Sequence, residues 1–184
     1  MRKKQFIGIA ISLLLLSLSW MILTPVLFTN AQAEAEITAP HPGFTAPGFT
    51  LSTLEGETRS LADYRGQPVL VFLWASWCSV CKATMPGLQT VYEAYSPEGF
   101  EILAINTTFQ DTQPSAINYF QSQGYTYPML FDQDGSVARE YQLHALPTAV
   151  LVAPNGSVLD VIIGSGLSEG FLRARLDDIL SGIE

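Results

Sequence analysis

Trp74-Ala75-Ser76-Trp77-Cys78-Ser79-Val80-Cys81-Lys82 holds both cysteines of the 184-residue chain, separated by two residues. The run Val69-Leu70-Val71-Phe72-Leu73 leads into it. A continuous apolar run of this length reads as a strand covered on both faces. Beyond Cys78 the period changes. Cys81, Met85, Leu88, Tyr92 and Tyr95 step by four and three, which is one face of a helix. Cys78 therefore stands at the helix start, where backbone N–H groups lack partners, and Cys81 belongs to the inward stripe. Pro86 falls inside this helix and should bend it. A cysteine pair at this spacing, on a strand-to-helix junction, has the geometry of a redox couple. The loop it closes is too short to take much entropy from the unfolded chain, so a structural staple is the weaker reading. A zinc site would need further ligands, and His41 and His144 stand at no metal-site spacing. Lys82 follows the second cysteine where covalent haem attachment needs histidine. No metal and no cofactor is implied.

Outward from this centre, Phe49-Thr50-Leu51 and Thr58-Arg59-Ser60-Leu61 flank a turn at Glu55-Gly56-Glu57 and read as a small hairpin. Phe100–Asn106 reads as a second buried strand, Pro114–Gln123 as a helix with Ile117 and Phe120 inward, Tyr127–Asp132 as a short strand and Gly135–Tyr141 as a short helix. Thr148–Val152 and Val158–Ile163 read as strands joined by the turn Pro154-Asn155-Gly156-Ser157. Leu172, Leu176, Ile179 and Ile183 stripe a closing helix with Ser168 as its N-cap. The order β-α-β-α-β-α-β-β-α predicts an α/β fold: a mixed central β-sheet flanked by helices, with an N-terminal β-hairpin extension. Asn106-Thr107-Thr108 and Asn155-Gly156-Ser157 match the glycosylation pattern, which has meaning only in a eukaryotic secretory host.

The two ends of the chain differ in charge. The whole carries −8, but the basic residues Arg2, Lys3 and Lys4 precede an uncharged run from Phe6 to Phe28. From residue 34 onward there are 6 basic and 17 acidic residues, net −11. Such a domain has no electrostatic footprint for nucleic acid. The run 6–28 is long enough to form a hydrophobic helix across a bilayer, and Ala31-Gln32-Ala33 supplies a cleavage pattern after it. Residues 1–33 thus read as a signal peptide or a signal-anchor. With the basic end inside, both readings export the remainder, either held at the cell membrane by its N-terminal segment or released after Ala33. Residues 34–47, with Pro40, Pro42 and Pro47, read as a semi-extended linker, and residues 48–184 as one domain.

These residues resemble a family. The strand into Trp77-Cys78-Ser79-Val80-Cys81-Lys82, the in-helix Pro86 and Leu146-Pro147-Thr148 before a strand look like the thioredoxin fold. Ala46-Pro47-Gly48-Phe49-Thr50-Leu51 and Leu61-Ala62-Asp63-Tyr64-Arg65-Gly66-Gln67-Pro68-Val69 resemble its TlpA/ResA branch, from about Thr45 to the C-terminus. The resemblance implies a thiol–disulfide oxidoreductase that reduces client disulfides outside the cytoplasm, fed by a membrane thiol carrier. Cys78 would be the nucleophile, with its thiolate favoured at the helix start and Lys82 adding positive charge nearby. Cys81 would be the resolving thiol. The resemblance also implies a cis Leu146–Pro147 bond that presents the Leu146 backbone to an extended client. Trp77, Leu146, Pro147 and Thr148 would form the substrate-binding surface, with Trp77 over the disulfide and Trp74 packed beneath. His144 reads as a surface-loop residue, the alternative being an acid or base on the rim. Two positions depart from the pattern. Phe72 replaces a buried acid or Asn, and Thr84 replaces a Glu, so the usual buried proton acceptor is absent from both. A peroxidase reading needs Pro-x-x-x-Thr-x-x-Cys, and Val71 and Ala75 occupy the Pro and Thr places. A non-enzymatic peptide-binding adaptor is the third reading, resting on the missing acid.

Overall fold

The computed structural model describes residues 38–182. The hydrophobic run 6–28 and Ile183 lie outside them. Among the described residues no helix is long and apolar enough to cross a membrane. Seven strands form one sheet: β1 (Thr50–Thr53), β2 (Thr58–Ser60), β3 (Val69–Trp74), β4 (Glu101–Asn106), β5 (Met129–Phe131), β6 (Thr148–Val152) and β7 (Val158–Ile163). Their order across the sheet is β2-β1-β5-β4-β3-β6-β7. The β3–β4 and β4–β5 pairs are parallel, and the other pairs are antiparallel. Among the described residues four α-helices pack with it: α1 (Ser79–Tyr95), α2 (Gln113–Ser122), α3 (Ser136–Glu140) and α4 (Glu169–Leu180). This is a thioredoxin-like α/β architecture, a mixed sheet with helices on both faces.

All six residues of β3 are buried because each face of the sheet has its own cover. Successive side chains on a strand point to opposite faces. Leu70, Phe72 and Trp74 accordingly join the core built by Cys81, Met85 and Leu88 of α1, Phe120 of α2 and Leu172 and Leu176 of α4. Val69, Val71 and Leu73 join the opposite core, with Leu61 and Tyr64 from a short 3₁₀ turn and Val137 and Ala138 of α3. A one-residue slip of β3 would exchange the two sets, so this register is strongly determined. Phe72, one of the two positions that depart from the resembled pattern, is fully buried in the α1 core.

On α1 the fully buried residue of the fourth turn is Val91, where the stripe predicted Tyr92. Tyr92 is half-buried: its ring meets Tyr127 edge-on at 5.8 Å, and its hydroxyl bonds Glu101. An aromatic ring with a polar tip settles at a rim more readily than in the core. On α2 the inward residues are Ala116 and Phe120, with Ile117 half-buried beside them. Ser168 caps α4, accepting from the Phe171 N–H. The stretch from Thr38 to Ala46, inside the segment read as a linker, lies along the start of β7. Gly43 N–H donates to Val158 C=O (2.9 Å), Val158 N–H to Phe44 C=O (2.8 Å) and Ala46 N–H to Gly156 C=O (3.0 Å). Ala46 is buried there.

Candidate active site

The site forms where β3 ends. Trp74 is fully buried against Tyr119 and Phe120, with ring centroids 6.0 and 6.1 Å away, so it belongs to the core. After Ala75 the chain turns, and Cys78 becomes the N-cap of α1. The Cys81 N–H points back at the Cys78 Sγ, 3.1 Å away. That donor is one of the helix's unpaired first-turn groups. It and the helix dipole favour negative charge on this sulfur when the bond is reduced. The two cysteines are joined as a disulfide, with Cα atoms 5.3 Å apart. Cys78 keeps 5% of its surface open and Cys81 none. Attack from outside therefore reaches Cys78, while Cys81 is shielded behind it.

The residues singled out from the sequence fall into two groups. Trp77 is 59% exposed beside the disulfide, and its ring N–H donates to the Gln110 carbonyl at 3.0 Å. The Leu146–Pro147 bond is cis. Thr148 closes the loop around it, its hydroxyl donating to Ala145 C=O at 2.8 Å, while Gly164 N–H donates to Pro147 C=O at 2.8 Å. Trp77, Leu146 and the exposed His144 all line one groove of about 650 Å³. Lys82 lies outside this group, with its ammonium 4.7 Å from the centre of the Tyr119 ring. Thr84 bonds back to the Val80 carbonyl of its own helix at 3.0 Å, so it provides no proton acceptor for Cys81.

A carboxylate that the sequence did not single out holds the turn before Cys78. Asp111 accepts from the Ser76 N–H (2.6 Å) and Asn106 Nδ2 (2.9 Å) on one oxygen. On the other it accepts from the Ser76 hydroxyl (2.7 Å) and the Thr112 N–H (2.8 Å). Burial pushes this carboxyl up, but the bonds from Ser76, Asn106 and Thr112 outweigh it and hold it below the ordinary aspartate range. It stays ionised at neutral pH and is a fastener rather than a proton store. Asn106 is wholly buried, its amide engaged with Asp111, so the glycosylation match there has no accessible acceptor. Thr107 completes the join, donating from both N–H (2.9 Å) and hydroxyl (3.2 Å) to Trp74 C=O.

Residues 42–161 match the AhpC/TSA family. The chain belongs to that family. It is 34% identical over 173 residues to the thiol-disulfide oxidoreductase ResA of Geobacillus kaustophilus, a match that spans 94% of this chain and 96% of that one. It is also 34% identical to ResA of Geobacillus thermodenitrificans, over 97% and 99% of the two chains. Among solved structures, a putative thiol:disulfide interchange protein DsbE from Chlorobium tepidum superposes with a TM-score of 0.70 at 27% identity, covering 76% of this chain and 98% of that one. The likeness therefore runs to thiol–disulfide oxidoreductases, and thiol–disulfide exchange is the chemistry the Cys78–Cys81 pair is placed to do.

Proposed function

We propose that this AhpC/TSA-family protein is an exported, membrane-associated thiol–disulfide oxidoreductase that reduces disulfides in client proteins. The observation that carries the reading is a disulfide whose outer sulfur caps a helix while the inner one is sealed off. In the reduced protein the Cys78 thiolate attacks a client sulfur, forming a mixed disulfide and releasing the client's first thiol. Cys81, as thiolate, then attacks Cys78 Sγ. The client leaves with two thiols, and the Cys78–Cys81 bond re-forms. The two electrons come from the protein dithiol, which a membrane thiol carrier restores. Trp77, Leu146, Pro147 and Thr148 hold the client segment. Among the described residues the Leu146 N–H and C=O have no protein hydrogen-bond partner, which leaves them open for strand-like pairing.

Export and anchoring rest on Arg2-Lys3-Lys4, the span 6–28 and Ala31-Gln32-Ala33. Residues 1–33 are a signal-anchor or signal peptide, 34–47 a connecting segment and 48–184 the catalytic domain.

The test is the reduction potential of the Cys78–Cys81 couple, set against dithiothreitol or glutathione buffers and read by thiol alkylation. A value near thioredoxin's, about −270 mV, is expected for a reductase. A value near DsbA's, about −120 mV, would make the protein an oxidant of its clients.

A further inference from the structure

The groove beside the disulfide is built by two chain segments. Trp77, Phe109 and Gln110 come from the turns after β3 and β4, and Arg139, Leu143 and Leu146 come from α3 and the loop that follows it. Phe109 is 49% exposed, yet it is held. Its N–H donates to Asp132 C=O at 3.2 Å. Its ring lies against Gly135, where an added Cβ would sit 3.2 Å from the ring carbons, and Gly135 also has φ +71°. A side chain at this position would be strained by the backbone and would press on the ring, so glycine suits both demands. The loop that carries Phe109 is fixed at one end by Thr107 on Trp74 and at the other by Asp111 on Ser76. Gln110 within it receives the Trp77 ring N–H. Two large aromatic side chains thus stand in water at the edge of one groove on a backbone already ordered. A partner that covers them gains apolar burial with little further loss of chain entropy.

The rest of the lining is mixed, with Gln110, Gln142 and the exposed His144 beside Leu143 and Leu146, so the apolar edge is the one that Trp77 and Phe109 make. No carboxylate lines the groove. Arg139 donates to the Asp134 carbonyl at 2.9 Å, and its charge is met in part by the Asp134 carboxylate.

We infer that the Thr107–Asp111 loop is the specificity element of the site: with Trp77, Phe109 receives a bulky apolar side chain flanking the client's disulfide cysteine. Asp111 is the positioning residue that keeps this loop and the redox turn in register. The occupant is an extended client segment continuous with the surface at Leu146. The inference rests on the oxidoreductase reading and adds a substrate class to it, clients whose reactive cysteine has an aromatic or large aliphatic neighbour.

Two oxidised peptides differing only in Phe or Ser beside the cysteine separate the possibilities. Each is mixed in excess with the pre-reduced full chain, and single-turnover rates are followed by stopped flow. The Phe peptide should react about tenfold faster at low concentration. Phe109→Ser, a change at an exposed position, should bring the ratio of the two rates to about one. Asp111→Asn should lower the ratio by raising the half-saturating peptide concentration more than it lowers the limiting rate. Ser76→Ala added to Asp111→Asn should do little more, because both act through the same join. A ratio near one in the unaltered protein, or a tenfold ratio that survives Phe109→Ser, overturns the inference. If neither peptide is reduced by the unaltered protein, the oxidoreductase reading itself falls, and the specificity falls with it.

Discussion

At the Trp74 end of the sheet, Asp111 takes two hydrogen bonds on each oxygen and is held ionised. At the Val69 end, Glu101 is mostly covered but has less to hold its charge: burial pushes its carboxyl up, and only the Ile102 N–H at 3.0 Å, the Tyr92 hydroxyl and the more distant Arg59 oppose this. Burial first, and then the charge of Glu101, in turn push Tyr92 up to about 12. Both carboxylates sit at the rim of the same sheet. One is surrounded by donors and fixes a turn, while the other is tolerated in a half-apolar corner. The difference shows that a carboxylate's place in this fold is set by the donors waiting for it, and that the redox end is where the chain has collected them.

The largest effect should come from the redox end itself. Cys78→Ser should abolish disulfide reduction, and Cys81→Ser should accumulate mixed disulfides with clients, seen as adducts that dithiothreitol removes. Next, Phe72→Asp places at the centre of β3 an acid like that carried by the thioredoxin family, with apolar neighbours such as Leu70 and Met85. Among the described residues the unpartnered donors of that core are the Trp74 ring N–H and the Tyr127 hydroxyl, and no cation is packed there. The substitution should cost about 3–5 kcal/mol in denaturant unfolding. If the cost is below about 1 kcal/mol, the contrast drawn from Asp111 and Glu101 loses its basis.

Smaller effects carry opposite signs at the two ends. Asp111 is held below its ordinary value of 3.8, so its stabilisation is present above that value and is lost as pH falls through the folded pKa. Asp111→Asn should therefore lower stability by about 1–2 kcal/mol at pH 7, with the gap in melting temperature closing in acid. Glu101 is raised above 4.5, so its stabilisation is complete below that value and is lost as pH rises through the folded pKa. Glu101→Gln should stabilise the protein at pH 7, by about 0.5 kcal/mol given the exposure of the site, and the gain should vanish below about pH 4.5. Parallel melting curves against pH for the two variants would erase the distinction between the ends.

Much of the fold was legible because its signals are local. The change from a continuous apolar run to a stripe at three and four places β3, the turn and α1, and it puts Cys78 at the cap. Thr148–Val152 and Val158–Ile163 are bounded by a proline and by an Asn-Gly turn, and their limits match β6 and β7. The three-and-four stripe puts Tyr92 in the core because a stripe counts apolar rings and is blind to where a hydroxyl must go. The Asp111 join was illegible for a different reason. Its partner Ser76 stands 35 residues away, and Gln110 is 33 from Trp77. Neither pair belongs to any periodic pattern. The local hint was Asp111-Thr112 ahead of Pro114, an N-cap signal for α2 in which the aspartate, one residue too early for the cap, was free for another use.

The strap from Thr38 to Ala46 has a mechanical consequence. β7 runs parallel to β3, because each is antiparallel to β6. Ser157 and Val158, where the strap is fastened, therefore lie level with Val69 and away from the end that carries Cys78. A pull on the chain at Thr38 would load the hydrogen bond between Ala39 and Thr45, then those of Gly43 and Phe44 with Val158, and pass into the outer strand along its length. The disulfide, the groove and the Asp111 join stay out of that line of force.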